Sequence, residues 1–280
     1  MISSAKEISK KSKSSFYYAF NLLPKKKAEA MNIFYAFCRR TDDLVDNNNP
    51  KEKKIENLEN WRNDFEKSLS GRSDNQLLQQ LSEVIVNFRI PKEHFFELIR
   101  GMEMDIYFSR YEDFSALKEY CYRVASTVGL ISIEIFGYKN DRTKDFAVNL
   151  GIALQLTNIL RDIKKDLEHS RIYIPLDEME YFKYSENELI ENIYNNNFIN
   201  LMKFQVSRIK KYFELSDKYL TKDDKSNLFP AIAMRSIYFR LLQKIIKNNF
   251  NIFHNNIKLS SLEKFFVALN IWFSNKFINV

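Results

Sequence analysis

Glycine, proline and cysteine are all scarce in this sequence. Its 280 residues include only 5 Gly and 5 Pro, whereas 24 are Phe and 45% are hydrophobic. Few chain-breaking residues and many apolar side chains favour long helices around a thick aromatic core, and disfavour a glycine-rich parallel α/β fold. The two cysteines, Cys38 and Cys121, are too few for a disulfide scaffold. We therefore predict a single all-α domain over residues 1–280.

The sequence also has no apolar segment of the length that crosses a bilayer. Residues 1–15 contain lysine and serine but no apolar signal-peptide core. Near the C-terminus, Asn270, Asn275 and Lys276 interrupt the apolar residues, which falls short of the roughly 18 needed to span a membrane. We expect a cytoplasmic protein. Residues 265–277 either pack in the core or make transient peripheral contact with the inner face of the membrane.

Charge of one sign does not dominate any region. There are 43 basic and 36 acidic residues, giving a formal net charge of +7, and they are scattered along the chain. This distribution is typical of a solvated surface, so we expect no nucleic-acid partner.

Apolar residues recur at helical spacing through most of the chain. Between residues 25 and 46, Ala30, Ile33, Phe37 and Leu44 lie three, four and seven apart, which predicts a helix with one packed face. The prolines fall where helices begin or end. Further helices are predicted over residues 51–69, 74–88, 91–108, 114–136, 142–168, 200–220, 227–250 and 262–280.

An acidic motif ends the first of these helices. Asp42 and Asp46 lie four residues apart in the motif RRTDDLVD, which begins at Arg39. On a helix this spacing stacks both carboxylates on one face, where they repel each other unless a cation lies between them. Oxygen-rich pairs of this kind suit Mg²⁺.

A second polar motif lies within a strongly apolar helix. In QLTNILRDIKKD, which begins at Gln155, residues Asn158, Asp162 and Asp166 follow each other at intervals of four. They form a polar stripe over two helical turns, and a carboxylate in such surroundings requires a partner. Two facing stripes would hold Mg²⁺ with a bridging diphosphate, and Arg39, Arg161 and Arg171 would donate to the phosphate oxygens. The alternative is a plain salt-bridge network.

Four ordered segments of the chain resemble the squalene/phytoene synthases, the family of head-to-head prenyl synthases. The first acidic motif alone would also fit head-to-tail prenyl synthases, but those repeat a DDxxD motif where this chain has NxxxDxxxD. The segments are SFYYAF from Ser15, YAFCR from Tyr35 with the acidic motif after it, YCYRVASTVG from Tyr120, and the second motif followed by RIY from Arg171.

The resemblance implies an isoprenoid synthase fold, a helical bundle around a central cavity, and assigns its site residues. Tyr120, Tyr173 and Arg161 are the catalytic candidates, and Tyr120 matches a tyrosine that handles the proton lost as a cyclopropane closes. Relatives carry arginines near residues 255–258, where this chain has Lys258, so Lys258 or Lys264 is expected to substitute. The implied ligands of two or three Mg²⁺ ions are Asp42, Asp46, Asn158, Asp162 and Asp166. The implied substrate-binding residues are Ser12, Lys13, Ser14, Ser15, Tyr35, Arg39, Gln155, Arg161, Arg171 and Tyr238.

The resemblance also implies a reaction. Segments GMEMD from Gly101 and VASTVGLISIEIFGY from Val124 resemble most the bacterial presqualene diphosphate synthases of the hopanoid pathway. We expect two farnesyl diphosphates to be joined to presqualene diphosphate, with NADPH needed only if the reaction continues to squalene. The alternatives are a carotenoid-type phytoene synthase that uses two geranylgeranyl diphosphates, or a non-catalytic binding or assembly factor with the same fold. The oligomeric state is left open.

Overall fold

The computed structural model describes residue 20 and residues 22–277, and every regular element in these residues is helical. This agrees with the predicted all-α class. The helices are α1 (Lys25–Val45), α2 (Lys51–Ser68), α3 (Gln76–Phe88), α4 (Glu93–Tyr107), α5 (Phe114–Cys121), α6 (Thr127–Phe136), α7 (Arg142–Glu168), α8 (Leu176–Tyr181), α9 (Glu186–Ile190), α10 (Asn196–Tyr219), α11 (Phe229–Lys247) and α12 (Ser261–Phe277), with a π-helical turn over Tyr122–Ser126 between α5 and α6.

An aromatic cluster fixes the position of α1. Phe37 packs against Trp61 and Phe65 of α2 and against Phe95 of α4, with ring centroids 5.5–5.7 Å apart. The Trp61 indole also donates a 2.9 Å hydrogen bond to the hydroxyl of Thr41, which is fully buried beside the first acidic motif. Buried aromatic pairs of this kind contribute stabilisation beyond that of the apolar area they bury. They therefore hold the acidic end of α1 in a defined place.

Helix α7 lies at the centre of the bundle, where it packs along α10 and against α6, α11 and the π-helical turn. Two glycines make these contacts close. A Cβ at Gly151 would lie 2.6 Å from Cα of Ser126, and one at Gly129 would lie 2.8 Å from the carbonyl oxygen of Ala147. Both neighbours are backbone atoms and cannot rotate away, so only glycine allows this approach.

The predicted helices differ from the observed ones in several places. The helix predicted over residues 114–136 is interrupted by the π-helical turn, and α10 begins at Asn196 rather than 200 because the Asn195 side chain caps it, accepting from the amide of Phe198 at 2.9 Å. The short helices α8 and α9 were not predicted at all. Ser185 and Glu188 form a capping box at the start of α9. This is the only kind of local signal that so short a helix offers, because five residues are too few to show hydrophobic periodicity.

None of the described helices is long and apolar enough to cross a membrane. Helix α12 nevertheless exposes large apolar side chains. Leu262 is 69% exposed and Phe266 61%, while Val267 and Ala268 on the other side of the helix are buried against the rest of the bundle.

Candidate active site

The two acidic motifs both lie at helix C-termini. Asp42 is in the last turn of α1 and Asp46 immediately follows it, while Asp162 and Asp166 occupy the last two turns of α7. A helix C-terminus carries the negative end of the helix dipole, which disfavours carboxylates and favours cations. The site therefore concentrates negative charge where the backbone itself already attracts a cation.

Three arginines partly neutralise these carboxylates. Arg39 contacts Asp42 at 3.0 Å, and Arg161 forms a two-pronged pair with Asp162, with a distance of 2.8 Å between Nε and Oδ1. Arg171 contacts Asp46 at 2.9 Å, and its backbone amide donates to the Asp166 carbonyl. Arg171 thus connects the ends of the two motifs, through its side chain at Asp46 and its backbone amide at Asp166.

The remaining negative charge is poorly compensated. Burial and the neighbouring carboxylate of Asp162 raise the pKa of Asp166 to about 7. Burial and Asp46 raise the pKa of Asp42 to about 6, against a lowering by Arg39. Burial and neighbouring carboxylates both disfavour the ionised form of these groups. A bound cation would counter both effects and stabilise the ionised form.

The donor atoms fit Mg²⁺. The amide oxygen of Asn158 is buried without a hydrogen-bond partner, and it lies one turn before Asp162 on α7, on the same face. Within the described residues, no three His, Cys, Asp or Glu side chains already converge as a metal site. Mg²⁺ commonly takes only one or two carboxylates from a protein and completes its shell with water and substrate phosphate, so separate stripes of carboxylate and amide oxygens suit it.

An apolar cavity of about 200 Å³ runs inward from this polar site. Its polar end is formed by Tyr35, Gln155, Asn158 and Tyr238, all of which were predicted from the sequence as site residues. The remaining wall is almost entirely apolar and includes Met31, Phe34, Val128, Ile133, Phe136, Phe146, Leu150 and Met234. The residues of α7 that line the cavity run from Asn158 at its polar end back to Phe146, which is about 18 Å at the helical rise.

A second, basic recess adjoins the first cavity. Its volume is about 490 Å³, and Tyr238 lines both spaces. Burial, followed by the charge of Arg161, lowers the pKa of Lys264, which indicates a region of concentrated positive charge. Lys258 and Lys264, the expected substitutes for the family's arginines, both line this recess, and the other basic residues there are Arg161, Lys164, Lys165 and His254.

The two catalytic tyrosine candidates lie in contact beside the acidic site. The rings of Tyr120 and Tyr173 are stacked with centroids 5.1 Å apart. Their hydroxyls both donate to the carboxylate of Asp105 in α4, at 3.0 Å from Tyr120 and 2.7 Å from Tyr173. Tyr111 stacks on Tyr173 at 5.7 Å, and its hydroxyl is buried without a partner.

Sequence reasoning did not select Asp105 or Tyr111. Asp105 shares one face of α4 with Leu98 and Met102, at spacings of three and seven, so an acidic residue on the buried stripe was the available signal. Tyr111 carried none, because it lies outside the helices. Tyr111 reaches the cluster because the segment after α4 is hydrogen-bonded to the segment after α7. The backbone amide of Leu176 donates to the Tyr111 carbonyl at 3.0 Å.

The predicted substrate residues Ser12, Lys13, Ser14 and Ser15 lie outside the described residues. All other predicted site residues, from Tyr35 to Tyr238, are either at the acidic motifs, in the walls of the two cavities or in the tyrosine cluster. Together they form a single site with an acidic, a basic and an apolar part.

Comparison with known proteins gives a consistent family. The family model for squalene/phytoene synthase matches residues 9–263. A 15-cis-phytoene synthase from Synechocystis sp. is 33% identical over 270 residues, covering 92% of this chain and 80% of that protein.

Solved structures show the same relationship. A dehydrosqualene synthase in complex with ligand is 30% identical with a TM-score of 0.84, covering 97% of this chain and 95% of that one. A squalene synthase from Alicyclobacillus acidocaldarius shares the fold at 22% identity, with a TM-score of 0.78 and coverage of 88% and 95% of the two chains. With the family model matching most of its length and a relative this similar over nearly all of it, the chain belongs to the squalene/phytoene synthase family of prenyltransferases.

Proposed function

We propose that this enzyme joins two geranylgeranyl diphosphates head to head to form phytoene, with release of diphosphate. Head-to-head condensation of prenyl diphosphates is the chemistry of the family. The choice of the longer substrate draws support from the relative at 33% identity, which is a 15-cis-phytoene synthase. It replaces presqualene diphosphate, the first expectation from the sequence.

The observation that carries the proposal is the junction at Tyr238. An apolar cavity and a basic recess meet at this residue, and the second polar motif lines both, with Asn158 in the cavity and Asp162 in the recess. A prenyl diphosphate has the same division, with a long hydrocarbon chain and a compact anionic head. An apolar wall of phenylalanine, leucine and isoleucine side chains accommodates the chain and excludes water from a carbocation, while lysine and arginine receive the head.

The acidic motifs would hold Mg²⁺ through Asp42, Asp46, Asn158, Asp162 and Asp166. When bound, the ions neutralise charge on the leaving diphosphate and so assist its departure. The chain contributes the guanidinium groups of Arg39, Arg161 and Arg171, which already lie at the carboxylates and can exchange them for phosphate oxygens.

Farnesyl diphosphate is the second candidate substrate, because the dehydrosqualene synthase matches 97% of this chain at 30% identity. Both phytoene and dehydrosqualene retain a double bond at the new centre, which loss of a proton creates. Squalene instead requires a hydride at that carbon, and only that outcome would need NADPH.

The test is product analysis with purified protein and Mg²⁺. Geranylgeranyl and farnesyl diphosphate are supplied separately, each with and without NADPH, and the hydrocarbons are identified by mass spectrometry. We expect phytoene from the longer substrate, independent of NADPH. Dehydrosqualene alone would favour the second candidate, squalene or presqualene diphosphate would restore the first expectation, and no diphosphate release from either substrate would favour a binding factor.

We also propose that the exposed apolar face of α12 contacts the surface of an anionic membrane. Leu262, Phe265 and Phe266 are 69%, 40% and 61% exposed, and Phe273 continues the same face. Lys264, between them, lines the basic recess, and the chain carries a net charge of +7, which complements anionic lipid. Flotation with vesicles containing anionic phospholipid should recover the protein, and Phe266→Ser should weaken this recovery. Equal flotation of both would contradict the assignment of this face.

A further inference from the structure

The carboxylate of Asp105 is buried at the centre of the tyrosine cluster and is not a member of either acidic motif. It accepts one hydrogen bond from Tyr120 at 3.0 Å and another from Tyr173 at 2.7 Å. The two hydroxyls are themselves 3.4 Å apart, so three polar groups form one compact triangle. Both rings are more than nine-tenths buried, and burying such a network is favourable only when every member has a partner.

The triangle lies next to the reaction site. Arg171, which contacts Asp46, also donates to the backbone carbonyl of Asp105 at 3.4 Å. The charge of Asp105 raises the pKa of both Asp42 and Asp166, which places it near both motifs. Val124, one turn beyond Tyr120 across the π-helical turn, lines the apolar cavity. A π-helical turn at this point is typical of a functional site.

We propose that Asp105 is a positioning residue for proton removal, holding the Tyr120 and Tyr173 hydroxyls toward itself so that a proton taken up at Tyr120 is passed to its carboxylate. The proposal rests on the head-to-head function proposed above. In the step, a C–H bond of the cationic intermediate breaks and its electron pair closes the cyclopropane. The proton goes to the Tyr120 oxygen while the phenolic proton moves along the existing hydrogen bond to Oδ2 of Asp105. The phenol ends unchanged, and the carboxylate ends neutral.

The surroundings explain why a phenol alone is insufficient. Burial and the charge of Asp105 raise the pKa of Tyr120 and Tyr173 well above the ordinary value, so both are neutral phenols, and a neutral phenol is too weak a base to keep a second proton. Burial raises the pKa of Asp105 to about 6, while Arg171 and the two tyrosine hydroxyls lower it. A carboxylate near this value is ionised at neutral pH and is a much stronger base than the phenol.

Asp105→Asn tests this assignment because the amide keeps the shape of the side chain but is not a base. We expect the kcat for hydrocarbon formation to fall by about 100-fold or more, the range of a lost general base, with KM changed by less than about threefold, since Asp105 lines neither cavity. Cations that are not deprotonated are captured by water. The ratio of hydrocarbon to released diphosphate should therefore fall, and prenyl alcohols should appear.

Asp224→Asn is the matched control. Asp224 is an aspartate whose carboxylate also accepts several hydrogen bonds, among them one from the amide of Lys139 at 2.7 Å and one from the hydroxyl of Thr143 at 2.6 Å, and it is fully buried. Thr143 lies about 28 Å from Asp162 along α7. This variant should lose stability but keep the wild-type ratio of hydrocarbon to diphosphate.

If Asp105→Asn does not fold, Tyr120→Phe and Tyr173→Phe give the same test, because each keeps the stacked ring and removes one hydroxyl. We expect Tyr120→Phe to lower the ratio of hydrocarbon to diphosphate strongly. A wild-type ratio in folded Asp105→Asn or in Tyr120→Phe, or an equal fall in Asp224→Asn, would overturn it while leaving the proposed function intact. Absence of turnover by the wild-type enzyme with both diphosphates would overturn the proposed function and this inference together.

Discussion

The crowded carboxylates at the end of α7 predict an unusual pH dependence of stability in the absence of metal. Burial and Asp162 raise the pKa of Asp166 to about 7, from an ordinary 3.8. The folded state therefore binds more protons than the unfolded state between these two values, and linkage requires its stability to fall as the pH rises through this window. The stability is fully present below about pH 4 and is lost by about pH 8.

The size of the effect follows from the pKa difference. At 1.36 kcal/mol for each pKa unit, the change from 3.8 to about 7 corresponds to about 4 kcal/mol. Side-chain relaxation and water will reduce it, so we expect about 2 kcal/mol, which for a chain of this size lowers Tm by roughly 5 °C. Mg²⁺ should reverse the loss at pH 8, because saturation to 100 times Kd contributes about 2.7 kcal/mol.

The assay is thermal unfolding at pH 5 and pH 8, with a chelator or with excess Mg²⁺. Asp166→Asn should reduce the fall in Tm in chelator to the part that Asp42 contributes, since the amide does not titrate, and should weaken the rescue by Mg²⁺. Glu168→Gln is the control, because Glu168 lies on the same helix end but is exposed, and this variant should behave as wild type. A Tm in chelator that does not fall between pH 5 and pH 8, or no stabilisation by Mg²⁺ at pH 8, would refute this account of the acidic motifs.

Three other perturbations test separate parts of the structure. Asp162→Ala should reduce turnover by at least about 100-fold while the far-UV circular dichroism stays helical, because it removes a proposed metal ligand and the partner of Arg161; near-wild-type turnover would contradict the metal assignment. Lys264→Ala should raise KM more than it lowers kcat, measured with Lys210→Ala as an exposed lysine control, because Lys264 lines the basic recess. Gly151→Ala should lower the free energy of unfolding by about 2 kcal/mol in chemical denaturation, because its Cβ would lie 2.6 Å from Cα of Ser126; an unchanged unfolding midpoint would contradict the close packing.

The parts of the fold that follow a simple period were predictable from the sequence. The face of α1 that carries Ala30 and Phe37 is buried as its spacing predicts, and the same helix then delivers Asp42 to the site. The π-helical turn at Tyr122–Ser126 was not predictable, because a single extra residue per turn leaves the apolar pattern of a short segment nearly unchanged.

The site divides in the same way. Residues within the two acidic motifs could be found from local spacing, because a helix places every fourth residue on one face. Asp105 could not, since its functional surroundings come from other helices: it meets Tyr120 and Tyr173 across the bundle. Lys264 was expected only from the family resemblance, and it faces a recess whose far wall includes α7. Only the packing of distant segments creates these environments.

The arginine pairs join the two kinds of charged group that the proposed function requires at the acidic motifs. Arg39, Arg161 and Arg171 each contact a carboxylate that is also a proposed metal ligand. Under the proposed function, Mg²⁺ would pair with the carboxylates and the substrate diphosphate with the guanidinium groups, so this exchange would leave both charged groups with partners of opposite charge. A substrate without a diphosphate offers only half of this exchange. The proposed function therefore predicts that the arginine pairs select diphosphate esters and that the apolar cavity, independently, selects the length of the hydrocarbon chain.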